Sequence, residues 1–278
     1  MKEHEPKMVY VLPSLMTAGN LFCGFMAVLN IFEGAIQWKA LTVGWATGSV
    51  GWTVYYERSL LFIIGAFLFD MLDGRLARLG GQESPFGREF DSLADIVSFG
   101  VAPALLLFKI VLYELPNRAG WFIASIYLVC GALRLARFNV LAATPGKGGL
   151  KDFTGFPIPA AAGLIASITL LLLHIYENDG EIGNWKYVLA ALMIFLSYMM
   201  FSKFHYPSFK ALDWRAQFSI PRLLAFVLCI ALVVIYYRFS LAIVFTCYLI
   251  YGFVRPYVSK AWRSDFEEED EENNGSPG

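Results

Sequence analysis

The sequence predicts an all-α integral membrane protein, a bundle of about eight transmembrane helices. Three observations carry this. Of the 278 residues, 57% are hydrophobic and only 16% are charged, less charge than a soluble domain carries. The apolar residues fall in long runs, several near the length that crosses a bilayer. The charged residues are segregated into the connections between those runs. The net charge of −1 therefore says little, and nothing in the composition points to a nucleic-acid partner.

Residues 1–13 read as a polar start followed by an interfacial stretch, Met8 to Leu12. No cleavable signal is expected, because no small-residue cleavage pattern follows a short apolar core. The membrane domain covers 14–258. Its first span runs from Ser14, placed to cap a helix after Pro13, to Phe32. This span carries Thr17, Gly19, Asn20 and Gly24, unusual polar and small residues for a membrane helix. Taken alone they read as a helix-packing patch. Glu33 to Glu57 is broken by four glycines and holds Trp38, Trp45 and Trp52, so it is expected at headgroup level rather than as a span.

The second span runs from Ser59 to Leu79 and the third from Phe90 to Tyr113. A fourth, Trp121 to Leu141, ends in Arg134-Leu-Ala-Arg137-Phe138-Asn139. Pro157 and Pro159 open a fifth, ending near Ile175. The sixth is Trp185 to Phe204, the seventh Pro221 to Tyr237 and the eighth Phe239 to Val258. Residues 259–278 end in an acidic, apolar-poor tail expected to be disordered. The four cysteines stand singly in apolar runs and read as small buried hydrophobes.

With the amino terminus inside, only Lys39, Arg58, Lys109, Arg118, Lys186 and Arg238 of the 22 basic residues lie outside. That bias obeys the positive-inside rule and puts both termini in the cytoplasm.

The chemistry concentrates between Asp70 and Asp95. Asp70 and Asp73 are three apart, and Asp91 and Asp95 are four apart, so each pair shares one helix face. The connection between the pairs holds Gly80, Gly81, Pro85 and Gly87, a turn that makes the two helices antiparallel neighbours. Four acids brought together beside lipid would repel one another and lose hydration. Hard divalent cations resolve this, since Mg²⁺ takes carboxylate oxygens together with substrate phosphates. A pair of such ions can clamp a phosphoryl centre.

The full string is D-x-x-D-G-x-x-A-R-x8-G-x-x-x-D-x-x-x-D, with Asp70, Asp73, Gly74, Ala77, Arg78, Gly87, Asp91 and Asp95 at its fixed positions. It resembles the signature of the CDP-alcohol phosphatidyltransferases. The resemblance implies an active site at the cytoplasmic side and two divalent cations, Mg²⁺ or Mn²⁺, held by Asp70, Asp73, Asp91 and Asp95. It implies that Asp95 also accepts the proton of the incoming hydroxyl. Thr17, Asn20 and Gly24 stand where the family holds the cytidine. Asp73, Gly74, Ala77, Arg78 and, more weakly, Ser84 complete the CDP-diacylglycerol contacts. Gly74 lets substrate approach the helix backbone, and Arg78 suits a phosphate.

Arg134-Leu-Ala-Arg137-Phe138-Asn139, Phe153-Thr-Gly-Phe-Pro157 and the first-span Gly-Asn-Leu-Phe-Cys-Gly resemble the serine-using branch. The implied partners are CDP-diacylglycerol, L-serine, the inner-membrane bilayer and a second copy in a homodimer. Arg134, Arg137, Asn139, Thr154 and Gly155 are the candidate serine contacts. Another alcohol, such as glycerol 3-phosphate or an inositol phosphate, would use the same chemistry. A different class stays open on the acids alone, because intramembrane carboxylates also mark ion or solute transporters. Such a transporter would not need the glycines and Arg78 at these spacings, and no inverted repeat is visible.

Overall fold

A computed structural model describes residues 8–43, 51–79, 85–143, 152–179, 184–202, 205–207, 236 and 239–251. The described chain is almost wholly helical: α1 (Met8–Thr42), α2 (Trp52–Leu79), α3 (Pro85–Asp95), α4 (Ala102–Ile110), α5 (Ala119–Ala143), α6 (Ile158–Asp179) and α7 (Trp185–Phe201). A further helix, α8 (Phe239–Tyr251), follows. A π turn, Ile96–Val101, joins α3 to α4 without a break.

Among the described residues, four helical stretches are long and apolar enough to cross a membrane: Ser14–Thr42, Phe86–Ile110, Pro116–Leu141 and Ile158–Tyr176. The 28 residues of α2 span about 42 Å. Its hydropathy is diluted at both ends by Glu57, Arg58, Asp70, Asp73 and Arg75. Large apolar side chains face outward along whole helix faces, among them Phe22, Phe25, Leu29 and Phe32 on α1, and Phe122, Ile126, Val129 and Leu133 on α5. Apolar faces on that scale fit a lipid environment rather than water.

The protein core lies between α1, α2, α4, α5, α6 and α7. It includes Leu60, Phe99, Leu106, Tyr127, Ile158, Leu164 and Met193. Helix α6 sits centrally, with every residue from Ala160 to Ser167 buried.

Several sequence expectations change here. Helix α1 starts upstream of Ser14 and runs to Thr42, so Ser14 lies inside the helix rather than at its start, and much of the 33–57 connection is helix. The reason is close packing. Gly34, which reads as a breaker, faces Tyr55 and Tyr56, and a methyl group there would come within 3.1 Å of the Tyr56 ring. Trp38 and Trp52 meet edge to face at 4.8 Å, and Trp52 meets Tyr176 at 5.4 Å, tying α1, α2 and α6 together. Trp45 lies outside the described residues.

Pro85 and Gly87 belong to the first turn of α3, not to the connection; Pro suits a first helical position. The sequence reading has no strand, yet β1 (Asp152–Thr154) pairs antiparallel with β2 (His205–Pro207), Phe153 opposite Tyr206. Three-residue strands carry no readable periodicity. The seventh expected span apart from Tyr236, together with Ser84, Gly80, Gly81, Cys229 and 259–278, lies outside the described residues, as does the end of the eighth span beyond Tyr251.

Candidate active site

The end of α2 and the length of α3 bring the acids together. One carboxylate oxygen each from Asp70, Asp91 and Asp95 lies within 4.8 Å of the others. At that spacing each ionised pair repels by about 3 kcal/mol or more at an effective dielectric near 20. Three such charges beside an apolar bundle call for a cation. Asp73 stands next to this trio on α2. Its Oδ2 accepts a hydrogen bond from Thr17 Oγ1 at 3.0 Å.

Helix α1 supplies a second tie. Asn20, fully buried, donates from Nδ2 to Asp95 Oδ1 at 3.1 Å. A carboxylate accepts only, so the amide nitrogen must face it. Asn20 Oδ1 is buried with no hydrogen-bond partner among the described residues. The backbone carbonyl of Asn20 accepts from Ser98 Oγ at 2.9 Å. Gly24, one turn on, packs on the same π turn: a methyl group there would come within 2.7 Å of Ser98 Cα. The first-span residues therefore divide: Thr17 and Asn20 reach the aspartates, whereas Gly24 has a packing reason.

Gly74 is the opposite case. A Cβ there would meet nothing within 4 Å among the described residues. No described neighbour requires this glycine, and a bare backbone beside the acids admits a ligand close to α2. Ala77 and Arg78 lie on the next turn of α2, their side chains outside the described set.

The α5 candidates separate as well. Arg134 is 9% exposed, and its Nε has no hydrogen-bond partner among the described residues. Asp95 and Tyr248 of α8 lie within electrostatic range of it. Asn139 Nδ2 instead donates to Ser92 Oγ at 2.9 Å, tying α5 to α3. Arg137 is half-buried. Thr154 pairs with His205 in the two-stranded ribbon. Gly155 has φ 84° and packs on the backbone at the end of α7: a methyl group there would run into the Met200 carbonyl and come within 3.2 Å of the Ser202 carbonyl oxygen. The next amide, Phe156 N–H, already donates to the Met199 carbonyl at 3.0 Å. The residues around Gly155 thus build a joint between α6 and α7.

Sequence reasoning missed Ser98 and Tyr127. The Tyr127 hydroxyl donates to the Phe99 carbonyl at 3.0 Å, inside the π turn. The signal was Pro103, eight residues after Asp95 and inside an apolar helix.

Residues 10–200 match the family model of the CDP-alcohol phosphatidyltransferases. The chain belongs to this family. The match takes in α1 to most of α7, and so every site residue described above except Tyr248. Among similar proteins of CDP-alcohol phosphatidyltransferase type is the CDP-diacylglycerol–serine O-phosphatidyltransferase of Helicobacter pylori strain 26695. It is 32% identical over 249 residues, 89% of this chain and 91% of that one. The Bacillus subtilis protein of the same name is 33% identical over 199 residues, 72% of this chain and 91% of that one. The archaetidylserine synthase of Methanothermobacter thermautotrophicus is 33% identical over 200 residues, 70% of this chain and 69% of that one.

Proposed function

We propose that this protein transfers the phosphatidyl group of CDP-diacylglycerol to L-serine, giving phosphatidylserine and CMP. The observation that carries the reading is the meeting of Asp70, Asp91 and Asp95 within 4.8 Å, in a chain of this family. The names of the relatives supply the donor and the acceptor.

The acids fit a divalent metal centre. All donors are carboxylate oxygens, the ligands that Mg²⁺ and Mn²⁺ prefer. Two ions would be held by Asp70, Asp73, Asp91 and Asp95. When bound, they would supply charge stabilisation on the diphosphate.

The chain's own residues do the rest. Asp95 accepts the proton of the serine hydroxyl, and Asn20 Nδ2 holds that carboxylate in place. Asn20 Oδ1, buried and unpartnered, suits the amino group of a cytosine. Thr17 holds Asp73 on the same side. Gly74 leaves room for the diphosphate, and Arg78 pairs with a phosphate. Ala77, Ser84 and Gly24 are carried over from the family resemblance as nucleotide contacts.

Arg134 holds the serine carboxylate; its unpartnered Nε and its closeness to Asp95 favour it over Arg137. Asn139, Thr154 and Gly155 shape the pocket through the contacts described above. Serine then presents its hydroxyl to Asp95 while the lipid-side phosphate is attacked and CMP leaves.

The concentration of basic residues in one set of connections supports a reading in which the acids and both termini face the cytoplasm, in a bundle of about eight spans, and the family resemblance adds the cell's inner membrane as the site. Pairing as a homodimer rests on the family resemblance alone.

The test is an acceptor panel with purified protein, CDP-diacylglycerol and Mn²⁺ or Mg²⁺: serine, glycerol 3-phosphate, an inositol phosphate and water. CMP release only with serine is expected. Release with another acceptor alone would replace serine in the reading. Arg134→Lys should raise the serine KM at least tenfold, and an unchanged KM would remove that residue from the pocket.

A further inference from the structure

We propose that the π turn after Asp95, imposed by Pro103 and held by Tyr127, sets the direction of the Asp95 carboxylate, with Tyr127 as a positioning residue. The inference rests on the reading of Asp95 as the proton acceptor.

In a regular α-helix the Phe99 carbonyl accepts from the N–H of residue 103. That residue is proline, which has no N–H and whose ring crowds the carbonyl four residues back. The helix widens in response: Ala102 N–H reaches back five residues to the Val97 carbonyl. The Phe99 carbonyl loses its α-helical donor in a place without water, since Phe99 and Tyr127 are both fully buried. An orphaned buried carbonyl is costly. The Tyr127 hydroxyl fills the gap at 3.0 Å.

A π turn adds one residue, which rotates the helix before it by about 100° relative to the helix after it. Asp95 is the residue immediately before the turn. Helix α4 is locked in the core by Leu106 and Leu107, both fully buried. The rotation therefore falls on α3, the helix that carries Asp91 and Asp95 towards Asp70. Ser98, within the turn, donates to the Asn20 carbonyl at 2.9 Å, and the Asn20 amide returns to Asp95 at 3.1 Å. Turn and acid are thus closed into one ring by a single α1 residue.

Tyr127→Phe keeps the ring and removes the donor. Its kcat is expected to fall at least tenfold, with both substrate KM values within twofold of the parent. Mn²⁺ affinity, followed by electron paramagnetic resonance without substrate, is expected to weaken at least threefold. The decisive variant adds Pro103→Ala. The new N–H there satisfies Phe99 and lets the helix close to α geometry. The Tm lost in Tyr127→Phe should return, while kcat and Mn²⁺ affinity stay low. Return of kcat together with Tm would overturn the proposal and leave Tyr127 a purely structural residue. So would a Tyr127→Phe protein within twofold of parental kcat and Mn²⁺ affinity, whether or not the double variant folds. If the parent releases no CMP with serine, the acceptor reading fails instead, and the Mn²⁺ titrations still decide the positioning role.

Discussion

Asn20 and Asp95, 75 residues apart in the chain, are joined by a 3.1 Å hydrogen bond between buried side chains. The bond couples the first helix to the acid assigned the proton transfer. A hydrogen bond to a charged group contributes about 1.5–3 kcal/mol. Asn20→Ala should therefore lower kcat by about 10- to 100-fold, measured as CMP release at saturating substrates. A variant within twofold of the parent would show that the bond is not used in turnover.

Removing one acid from the cluster should cost more. Asp91→Asn or Asp70→Asn should lose at least about a hundredfold in activity, beyond the 10- to 100-fold typical of an outer-shell partner. Full turnover in Asp91→Asn would sink the transferase reading.

Chelation is the matching test without mutation. EDTA should abolish CMP release, and Mn²⁺ or Mg²⁺ should restore it. Thermal unfolding in detergent should also shift, because a ligand at about a hundred times its Kd stabilises the folded state by about 2.7 kcal/mol. A Tm indifferent to the metal, with activity intact in EDTA, contradicts a metal centre at these acids.

The two glycines at the site should behave oppositely. No described residue lies within 4 Å of a methyl group at Gly74, so Gly74→Ala should hold or raise Tm, alanine being favoured in a helix by about 1 kcal/mol. The expected loss is in binding, seen as a raised KM for CDP-diacylglycerol. An unmoved KM would mean the substrate does not use that space.

At Gly24 a methyl group would meet Ser98 Cα at 2.7 Å, and backbone cannot step aside cheaply. Gly24→Ala should destabilise by about 1–3 kcal/mol, read as a lower Tm than Gly74→Ala under the same conditions. Equal Tm values for the two would contradict the close packing of α1 on the π turn.

Much of the molecule was legible in advance because its signals are local. Apolar runs marked α2 and α5 to within several residues, and the pairs Asp70/Asp73 and Asp91/Asp95 declared shared helix faces. Misreadings came where a local signal has two meanings. Gly34 reads as a breaker but serves close approach to Tyr56, and so α1 runs ten residues past Phe32. Asn139 and Gly155, expected as serine contacts, also make structural ties that no local signal announced, to Ser92 and to the end of α7.

By itself the sequence determined that helices form, which stretches suit lipid, and which acids can share a face, because each depends on residues within a few turns of one another. Only the tertiary structure decided that Asn20 meets Asp95, that Thr17 meets Asp73, and that Tyr127 serves a carbonyl 28 residues away. Those pairings depend on the rotation of one helix against another. That rotation is set by packing across the bundle and by one added residue in a π turn, neither of which leaves a periodic trace in the chain.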